Sequence, residues 1–461
     1  MKKTTKMMQI RFLFLISLVA AALVGCSGDD PENAATPSPD KEEGAPVVAQ
    51  APSEVLYQVN PRSYATEGCL NAVKARMAEF KASGATVLWL MPSLQPGELK
   101  AFGSPYCIRD FRTINSRYGT NADLDEFVKE AHAQGMLVIL DWIANHTAWD
   151  HDWISSHPEY YRKDASGNIA QASTWTDVAQ LDFNNAATRK AMTEDMVYWV
   201  KEHGIDGFRC DYADGPSHQF WQEAIAAIRA VNPKAYMLAE SSDYKHLDDG
   251  FDEIYGWRYA DYLTKLFTGK QSPTQFLANA ADEMSKVPEG KGIMHYVINH
   301  DTAAENAPSS IFGSADALPA AYCLTAMLDG TPMIYTLMET TSAGQKLSFF
   351  DYKVLTRNAE LAAKYAAVNG AFRLTAPVRA AKPVQYQAGD AVMFSKASGD
   401  NMAVVIVNPT REQVQVKTPM AVSGLEMTEL ISGVKAKLPA GVTIPAYGYA
   451  IMGMKTKRAK G

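Results

Sequence analysis

One stretch of this chain, residues 207–212 (GFRCDY), combines an apolar strand-like run with groups that could do chemistry. Arg209 and Asp211 lie two positions apart, so on a β-strand their side chains point to the same face. An arginine beside a carboxyl group lowers its pKa and keeps it ionised, as a nucleophile or a base requires. The same pair could equally be an interior ion pair that only fixes the strand. The rest of the chain decides between these two interpretations.

Other titratable side chains end or follow further apolar runs. They are Asp141, His146, Asp211, Glu240, His300 and Asp301. Any one of them alone could be a structural hydrogen-bonding group. Two carboxyl groups that face each other across a small pocket suit glycosidic-bond cleavage, in which one attacks the anomeric carbon and the other protonates the leaving oxygen. Asp211, beside Arg209, fits the ionised partner, and Glu240, which follows the apolar run YMLA, fits the proton donor.

These residues need a scaffold that brings strand ends together, and the pattern of the chain predicts one. Eight apolar runs are separated by amphipathic stretches with helical periodicity, two of them near 70–82 and 123–134. Because each run is continuous rather than alternating, we expect parallel strands that are buried on both faces. This pattern predicts an α/β fold, a (β/α)₈ TIM barrel, with its chemistry at the C-terminal ends of the strands. The predicted strands are 55–60, 86–91, 137–142, 207–212, 235–240, 251–255, 292–299 and 332–336.

The organisation outside the strands predicts four segments. Residues 1–25 combine a basic start with a short apolar run and end before Cys26, which indicates a lipoprotein signal peptide with Cys26 as the lipid anchor. An uncleaved anchor helix is the alternative. Residues 26–50 have the composition of a flexible tether. We expect the catalytic barrel at 51–371, with an inserted domain at about 146–185, and an all-β sandwich domain at 372–461.

Composition and charge restrict the partners. Removing residues 1–25 leaves 40 basic residues against 51 acidic ones, a net charge of −11. Such an acidic chain argues against nucleic acid and against anionic substrates. We therefore expect a membrane connection through the lipid anchor only, on an exported lipoprotein at the outer membrane or cell surface of a Gram-negative bacterium. In an exported protein Cys69 and Cys107 could form a disulfide, although nothing in the sequence establishes the pairing.

Four segments resemble, in order and in spacing, the signature motifs of the α-amylase family of retaining glycoside hydrolases. They are residues 141–146 (DWIANH), 207–211 (GFRCD), 237–241 (MLAES) and 297–301 (VINHD). Residues 55–64, 104–106, 117–120 and 330–335 resemble the first strand, the second loop and the eighth strand of the family, so the likeness runs from about 54 to 340. The resemblance implies catalytic roles: Asp211 as nucleophile, Glu240 as general acid/base, and Asp301 as the acid that holds the distorted sugar. Retention of the α configuration would follow, with the carboxyl oxygens of the pair roughly 5–5.5 Å apart.

The resemblance also implies substrate-binding and metal-binding residues. Arg209 would orient Asp211, and Asp141 would be a structural anchor. Tyr106 would be a stacking platform beneath the sugar, and His146 and His300 would bond its hydroxyls. In calcium-dependent members the asparagine equivalent to Asn145 is a ligand, and Asn145 with Asp182 could contribute to a Ca²⁺ site. Alternatively, Asn145 only hydrogen-bonds its loop.

The chain departs from the family pattern after the nucleophile. Many members have lysine or histidine where Asp214 and Gly215 stand here, so contacts on the leaving side cannot be carried over. The leading interpretation is a retaining hydrolase of α-1,4-glucosidic bonds in starch-like glucans. The alternatives are a transglycosidase, an α-1,6-glucosidase or a cyclomaltodextrinase, and, in another class, a non-catalytic glucan-binding surface lipoprotein.

Overall fold

The computed structural model describes residues 54–455, and at its centre lies a closed barrel of eight parallel strands, β1 to β8 in chain order. The predicted signal peptide, Cys26 and the tether lie outside the described residues and stay predictions. The barrel strands are Leu56–Val59, Val87–Leu90, Leu137–Trp142, Gly207–Cys210, Tyr236–Ala239, Glu253–Tyr255, Gly292–Tyr296 and Thr331–Tyr335.

The order of these strands confirms the predicted (β/α)₈ barrel. Each strand pairs in parallel with its successor in the chain, and β8 pairs with β1 to close the barrel. Their residues are almost all buried, as continuous apolar runs require. All eight predicted strands are present, with ends that differ by at most a few residues. The fourth strand ends at Cys210 and not at 212, because Tyr212 has a left-handed backbone with φ of 40°.

The helices of the described residues surround the barrel or lie in its loops. None of them is long and apolar enough to cross a bilayer. Helix α3 begins with a capping box between Thr120 and Asp123, a start signal that agrees with the predicted helix. The α-helices are α1 Cys69–Lys74, α2 Met77–Ser83, α3 Asn121–Ala133, α4 Trp153–Ser156, α5 Ala186–His203, α6 His218–Val231, α7 Lys245–Asp248, α8 Trp257–Phe267, α9 Pro273–Met284, α10 His300–Glu305, α11 Pro308–Phe312, α12 Ala317–Met327 and α13 Ala359–Leu374, and the short 3₁₀ helices are Pro61–Ser63, Pro158–Tyr160, Thr336–Glu339 and Ala376–Val378.

The helix predicted at 70–82 is wrong as a single element, because the structure divides it into α1 and α2. The division falls at Arg76, whose ψ of 9° is not helical. Its amide donates to the carbonyl of Val73 at 2.9 Å, three residues back, which tightens and ends the first helix.

Two long loops carry small antiparallel sheets at the rim of the barrel. Leu94–Pro96 pairs with Ile108–Ile114 in the loop after β2. The segment inserted after β3 contains His146–Ala148, Gln171–Ala172 and Trp175–Gln180, and the last of these strands lies in the middle of the sheet. These sheets fix the backbone around several predicted site residues.

The C-terminal part is all β, as predicted. Six strands form one sheet and two form a second, and apolar side chains such as Ile406, Val442 and Met452 pack together in its core. The eight strands, β9 to β16, are Val384–Tyr386, Val392–Ser398, Asn401–Val407, Val414–Lys417, Glu426–Glu429, Lys435–Lys437, Gly441–Ile444 and Tyr449–Lys455. Between the last two strands the chain turns after Pro445, where Tyr447 has a left-handed φ of 50°.

The larger C-terminal sheet packs against barrel helices, with α9 in contact with β10 and α12 in contact with β11. Helix α13 ends at Leu374, three residues beyond the predicted end of the barrel at 371, and β9 begins at Val384. Buried Lys396 on β10 lies 2.7 Å from a carboxyl oxygen of Asp329, in the loop before β8. This pair ties the two parts together.

The cysteines predicted as a possible disulfide are separate buried thiols. The Sγ atom of Cys69 donates to the carbonyl of Ala65 at 3.1 Å. That of Cys107 lies 3.2 Å from a carboxyl oxygen of Asp177. Each thiol already has a different partner, so the pairing is wrong for this structure.

Candidate active site

The site is built on the guanidinium group of Arg209, which is wholly buried inside the barrel. Its Nη1 atom donates to Oδ1 of Asp141 at 2.6 Å and to Oδ1 of Asp211 at 2.9 Å. Its Nη2 atom forms an ion pair with Oε1 of Glu240 at 2.7 Å, without the angle of a hydrogen bond. Its Nε atom donates to the hydroxyl of Tyr255 at 2.9 Å. One cation therefore lies beside three carboxyl groups from three successive strands.

Asp141 lies beneath the pocket and not in its wall. It is fully buried, and its second oxygen accepts a hydrogen bond from Nε1 of Trp89 at 3.1 Å. The indole ring of Trp89 also lies 5.1 Å from the guanidinium carbon of Arg209, within the range of a cation–π contact. This position agrees with the structural-anchor role that the resemblance implies.

The environments of Asp211 and Glu240 differ in the way a nucleophile and an acid need. Burial raises the pKa of Asp211 to about 6, although Arg209 acts in the opposite direction. Burial raises the pKa of Glu240 further, to about 8, against the same arginine. The expectation that Arg209 holds the pKa of Asp211 below its ordinary value is therefore wrong, because desolvation outweighs the ion pair. The order of the two values still makes Glu240 the better proton donor.

A backbone contact joins the two carboxyl-bearing loops. The amide of Tyr212 donates to Oε2 of Glu240 at 2.8 Å. Tyr212 follows Asp211 directly, and its φ of 40° places it in the left-handed region that most side chains avoid. Glu240 is thus held by Arg209 through one oxygen and by the Tyr212 amide through the other. Both contacts fix its orientation at the pocket wall.

Asp301 and His300 start helix α10 on the opposite wall. The His300 ring is buried, and Nε2 lies 2.5 Å from the hydroxyl of Tyr106 and 3.4 Å from Oδ1 of Asp301. Its Nδ1 atom lies 2.7 Å from the side-chain amide of Gln58 on β1. Burial lowers the pKa of His300 well below its usual range, so the ring is neutral at physiological pH. The structure brings these predicted residues together, and it adds Gln58, which sequence reasoning missed.

Tyr106 and His146 complete the predicted set. The rings of Tyr106 and His300 are nearly parallel, with centroids 5.8 Å apart. The Nε2 atom of His146 lies 3.3 Å from the carbonyl oxygen of Tyr106, and burial lowers the pKa of this histidine to about 4. The same pocket is therefore lined by a neutral histidine, a tyrosine and the acids.

The pocket has a volume of about 400 Å³, and aromatic side chains surround its mouth. Of the aromatic residues that line the pocket, the sequence predicted only Tyr106 as part of the site. Trp175 and Tyr212 meet edge to face with centroids 5.2 Å apart, and each is 39% exposed. The aromatic richness of the chain was the available signal, but it did not say which rings face the pocket. The lining includes Tyr106, His146, Trp175, Asp211, Tyr212, Glu240, Trp257, His300, Asp301, Phe349 and Phe350.

The residues predicted for calcium do not fit that ion. The side-chain nitrogen of Gln180 donates to Oδ1 and to the backbone oxygen of Asn145, each at 2.9 Å, and to the backbone oxygen of Leu181 at 3.1 Å. Turning this amide over would aim an oxygen at three oxygens, so the hydrogen bonds fix its orientation. The Asp182 carboxylate is engaged elsewhere, because its Oδ1 atom accepts from the amide of Asn184 at 3.1 Å. A neutral amide thus occupies the position where these oxygens would hold a cation.

The two residues that depart from the family pattern have structural partners. Oδ1 of Asp214 accepts from Oγ of Ser241 at 2.6 Å and from His246 at 2.9 Å, so its contacts lie with these residues and not with the pocket lining. Gly215 packs against Asn145, whose Oδ1 atom would lie 2.2 Å from an added Cβ. A side chain at 215 would displace Asn145. The departure therefore follows from local packing.

Fold and site together define a (β/α)₈-barrel protein with a carboxylate-lined pocket of the kind used for glycosidic-bond chemistry. The sequence model of the α-amylase catalytic domain matches residues 57–177. Over this segment, about a quarter of its length, the chain is similar to the α-amylase family.

Known relatives extend the likeness over most of the chain. The α-amylase MalA of Haloarcula japonica is 24% identical over 406 residues, which are 84% of this chain and 59% of that protein. A cyclomaltodextrinase of Geobacillus thermopakistaniensis is 22% identical over 398 residues, which are 76% of this chain and 65% of that protein. The chain thus spans less than two thirds of the length of these curated relatives. The crystal structure of an α-amylase from Lactobacillus plantarum has the same fold, with a TM-score of 0.77, 24% identity, and coverage of 87% of this chain and 98% of that one.

Proposed function

We propose that this protein is a retaining α-glucan hydrolase that cleaves α-1,4-glucosidic bonds of starch-like oligosaccharides and polysaccharides. The observation that carries the proposal is the placement of Asp211 and Glu240 on the two Nη atoms of Arg209, with both carboxyl groups in the pocket wall. An acid that is ionised near neutrality then lies beside one that keeps its proton. That pairing is what a double-displacement glycosidase needs.

The residues support the following steps. Asp211 attacks the anomeric carbon of the bound sugar, while Glu240 gives its proton to the leaving oxygen. The bond from carbon to the leaving oxygen breaks as the bond to Asp211 forms, which gives a covalent glycosyl-enzyme. Glu240, now ionised, takes a proton from water, and the water oxygen displaces Asp211 with net retention. Asp301 holds hydroxyls of the distorted sugar from the opposite wall.

The rest of the pocket suits a neutral, hydroxyl-rich ligand. Aromatic rings at the mouth offer flat apolar surfaces, and buried polar groups lie deeper. The net charge of the whole chain is −7, which disfavours anionic ligands. The two relatives described above, an α-amylase and a cyclomaltodextrinase, support glucans as the substrate class.

The alternatives within the family differ on the leaving side of the pocket. Here Asp214 is held by Ser241 and His246, and Gly215 has no side chain, so neither position lines the pocket. The aromatic residues Tyr212 and Trp257 are part of the lining. Such a surface also suits a sugar acceptor, which keeps transglycosylation, α-1,6 cleavage and cyclodextrin opening as second candidates. A non-catalytic glucan-binding protein is disfavoured, because all three carboxyl groups are present in the pocket.

Product analysis tests the proposal. Starch, maltooligosaccharides, pullulan and cyclodextrins are digested separately, and ¹H NMR records the anomer that forms first. We expect linear α-1,4 products that are initially α, and Asp211→Asn should abolish turnover but keep binding. Asp261→Asn is the matched control, because that exposed acid on α8 has its one polar side-chain contact within residues 54–455 with Lys265, at 2.5 Å. Initial β products, or normal turnover in Asp211→Asn, would contradict the mechanism.

A further inference from the structure

A second cluster of ligand-type side chains lies behind the loop that carries Asp211. His218 is the first residue of α6, His246 lies on α7, and Asp249 follows α7. One nitrogen of each histidine and one carboxyl oxygen lie within 4.8 Å of one another. None of the three lines the pocket, so the mechanism above does not use them.

The hydrogen bonds around His246 leave one nitrogen without a partner. Its Nε2 atom donates to Oδ1 of Asp214 at 2.9 Å, which places the proton on that nitrogen. Its Nδ1 atom faces Oδ2 of Asp249 at 3.2 Å and has no hydrogen bond within residues 54–455. The side chains of His246 and Asp249 are 2% and 4% exposed. A cation held between this ring nitrogen and this carboxyl oxygen would satisfy both buried groups.

The spacing fits such a cation. Donors on a tetrahedral zinc ion, with bonds of 2.0–2.2 Å, are about 3.3 Å apart. The separation of Nδ1 of His246 and Oδ2 of Asp249 is 3.2 Å, and Nδ1 of His218 forms a hydrogen bond to the same oxygen, which a bound ion would replace. The His218 side chain is 48% exposed, which gives an ion access from solvent.

Outer contacts hold the ligands in the orientation that a metal needs. Asp214 fixes the ring of His246 from its far nitrogen, the carboxylate–histidine arrangement that is common behind metal ligands. The amide of Gln222 donates to the second oxygen of Asp249 at 3.0 Å, which leaves Oδ2 for the ion. Asp214 and Gln222 therefore both help to orient the proposed ligands.

From this geometry we propose a divalent-cation site of zinc type, formed by His218, His246 and Asp249, with its fourth position open to water. Two nitrogens and one carboxyl oxygen are a donor set that suits zinc better than calcium or magnesium. Asp214 lies three residues after Asp211, and Ser241 directly follows Glu240. An ion here would stabilise the two catalytic loops without touching the substrate. This inference does not depend on the proposed activity.

The test uses the full-length protein after removal of metals with EDTA and desalting. Isothermal titration with ZnCl₂ should give one site, and zinc in excess should raise Tm by a few degrees, because only the folded protein holds the ligands together. CaCl₂ and MgCl₂ at the same concentrations should neither bind at this site nor raise Tm. His218→Ala and Asp249→Asn should each weaken zinc binding at least tenfold.

His132→Ala is the matched control, since His132 also contacts an aspartate, Asp206 at 2.7 Å, and is 41% exposed, but no third ligand lies near it in the part of the chain that the structure describes. This variant should bind zinc normally. His218 is half exposed, so its alanine variant keeps the test valid even where Asp249→Asn does not fold. Absence of a stoichiometric zinc site overturns the proposal. Zinc binding that is unchanged in His218→Ala would also overturn it. Loss of zinc binding in Asp211→Asn would overturn it too, because that result would place the ion in the pocket.

Discussion

The backbone amide of Tyr212 donates to Oε2 of Glu240, and Tyr212 adopts a left-handed conformation to do so. The residue next to the nucleophile therefore supports the acid/base. Its ring meanwhile turns outward to Trp175 at the mouth of the pocket. Backbone and side chain of one residue thus serve two different parts of the site, and substitutions can separate them.

Two substitutions of Tyr212 should separate the contribution of its ring to substrate binding from the contribution of its backbone conformation to stability. Both Tyr212→Gly and Tyr212→Ala remove the ring, so each should raise KM for maltooligosaccharides about 5–30-fold, for a stacking loss of roughly 1–2 kcal/mol. Only glycine adopts a positive φ without cost, so the glycine variant should be more stable than the alanine variant by about 1 kcal/mol. Urea unfolding of both variants checks the second point. Equal stability would show that the turn carries no strain.

The pH dependence of kcat/KM should be bell-shaped. Activity needs Asp211 without its proton and Glu240 with one. With pKa values of about 6 and about 8, activity should fall below pH 6 as Asp211 gains a proton and above pH 8 as Glu240 loses one. Initial rates at low substrate concentration across pH 4–10 measure the acidic and the alkaline limb of the profile. The two apparent pKa values describe Asp211 and Glu240 as an interacting pair. Because glutamine does not titrate, Glu240→Gln should lose the alkaline limb, and an unchanged limb would exclude Glu240 as its source.

Glu240→Gln should affect substrates according to their leaving groups. The variant cannot donate a proton, so turnover of natural glucans should fall by roughly 10²–10⁴-fold. Aryl glucosides with acidic phenol leaving groups need little protonation, and their first step should be spared. Steady-state and single-turnover kinetics on both substrate types make the comparison. Equal losses on both would assign Glu240 another role.

The Gln180 amide leads to a prediction about calcium. Addition of CaCl₂ to the metal-free protein should leave activity and Tm unchanged, because a neutral donor already satisfies the oxygens of Asn145 and Leu181. Gln180→Glu places a carboxylate against those oxygens and should cost about 1–3 kcal/mol of stability. Added calcium should restore part of that loss. Gln171→Glu, at an exposed position of the same small sheet, is the control and should show no calcium effect.

The sequence predicted the barrel well, because its signals are local. Continuous apolar runs predict buried parallel strands, and residues that follow such strands must meet at one rim. For this reason Asp211, Glu240 and Asp301 were found together without coordinates. Strand and helix ends were less exact, as at Arg76 and Tyr212, where the deciding dihedral angles have no clear residue signature.

What the sequence did not predict depends on distance in space or on burial. Gln180 and Asn145 are 35 positions apart, and only the folded insertion shows the amide nitrogen among three oxygens. His218 and His246 belong to different helices, α6 and α7, and their spacing in the sequence does not suggest a common site. The sign of the Asp211 pKa shift was wrong because desolvation cannot be read from a neighbouring arginine alone. Each of these features requires the packed structure.

The register of neighbouring strands has a last consequence for how this protein matures. Asp141 on β3 stands opposite Arg209 on β4 because of the way those strands pair, and Leu238 on β5 stands opposite the same arginine. A slip of one residue between β3 and β4 would turn Asp141 out of the barrel interior and leave a charge uncompensated there. A chain with the wrong strand register would therefore be less stable than the native one, because it would bury an uncompensated charge. The ion pair of Arg209 and Asp141, which supports the active site, thus also favours the correct strand register during folding.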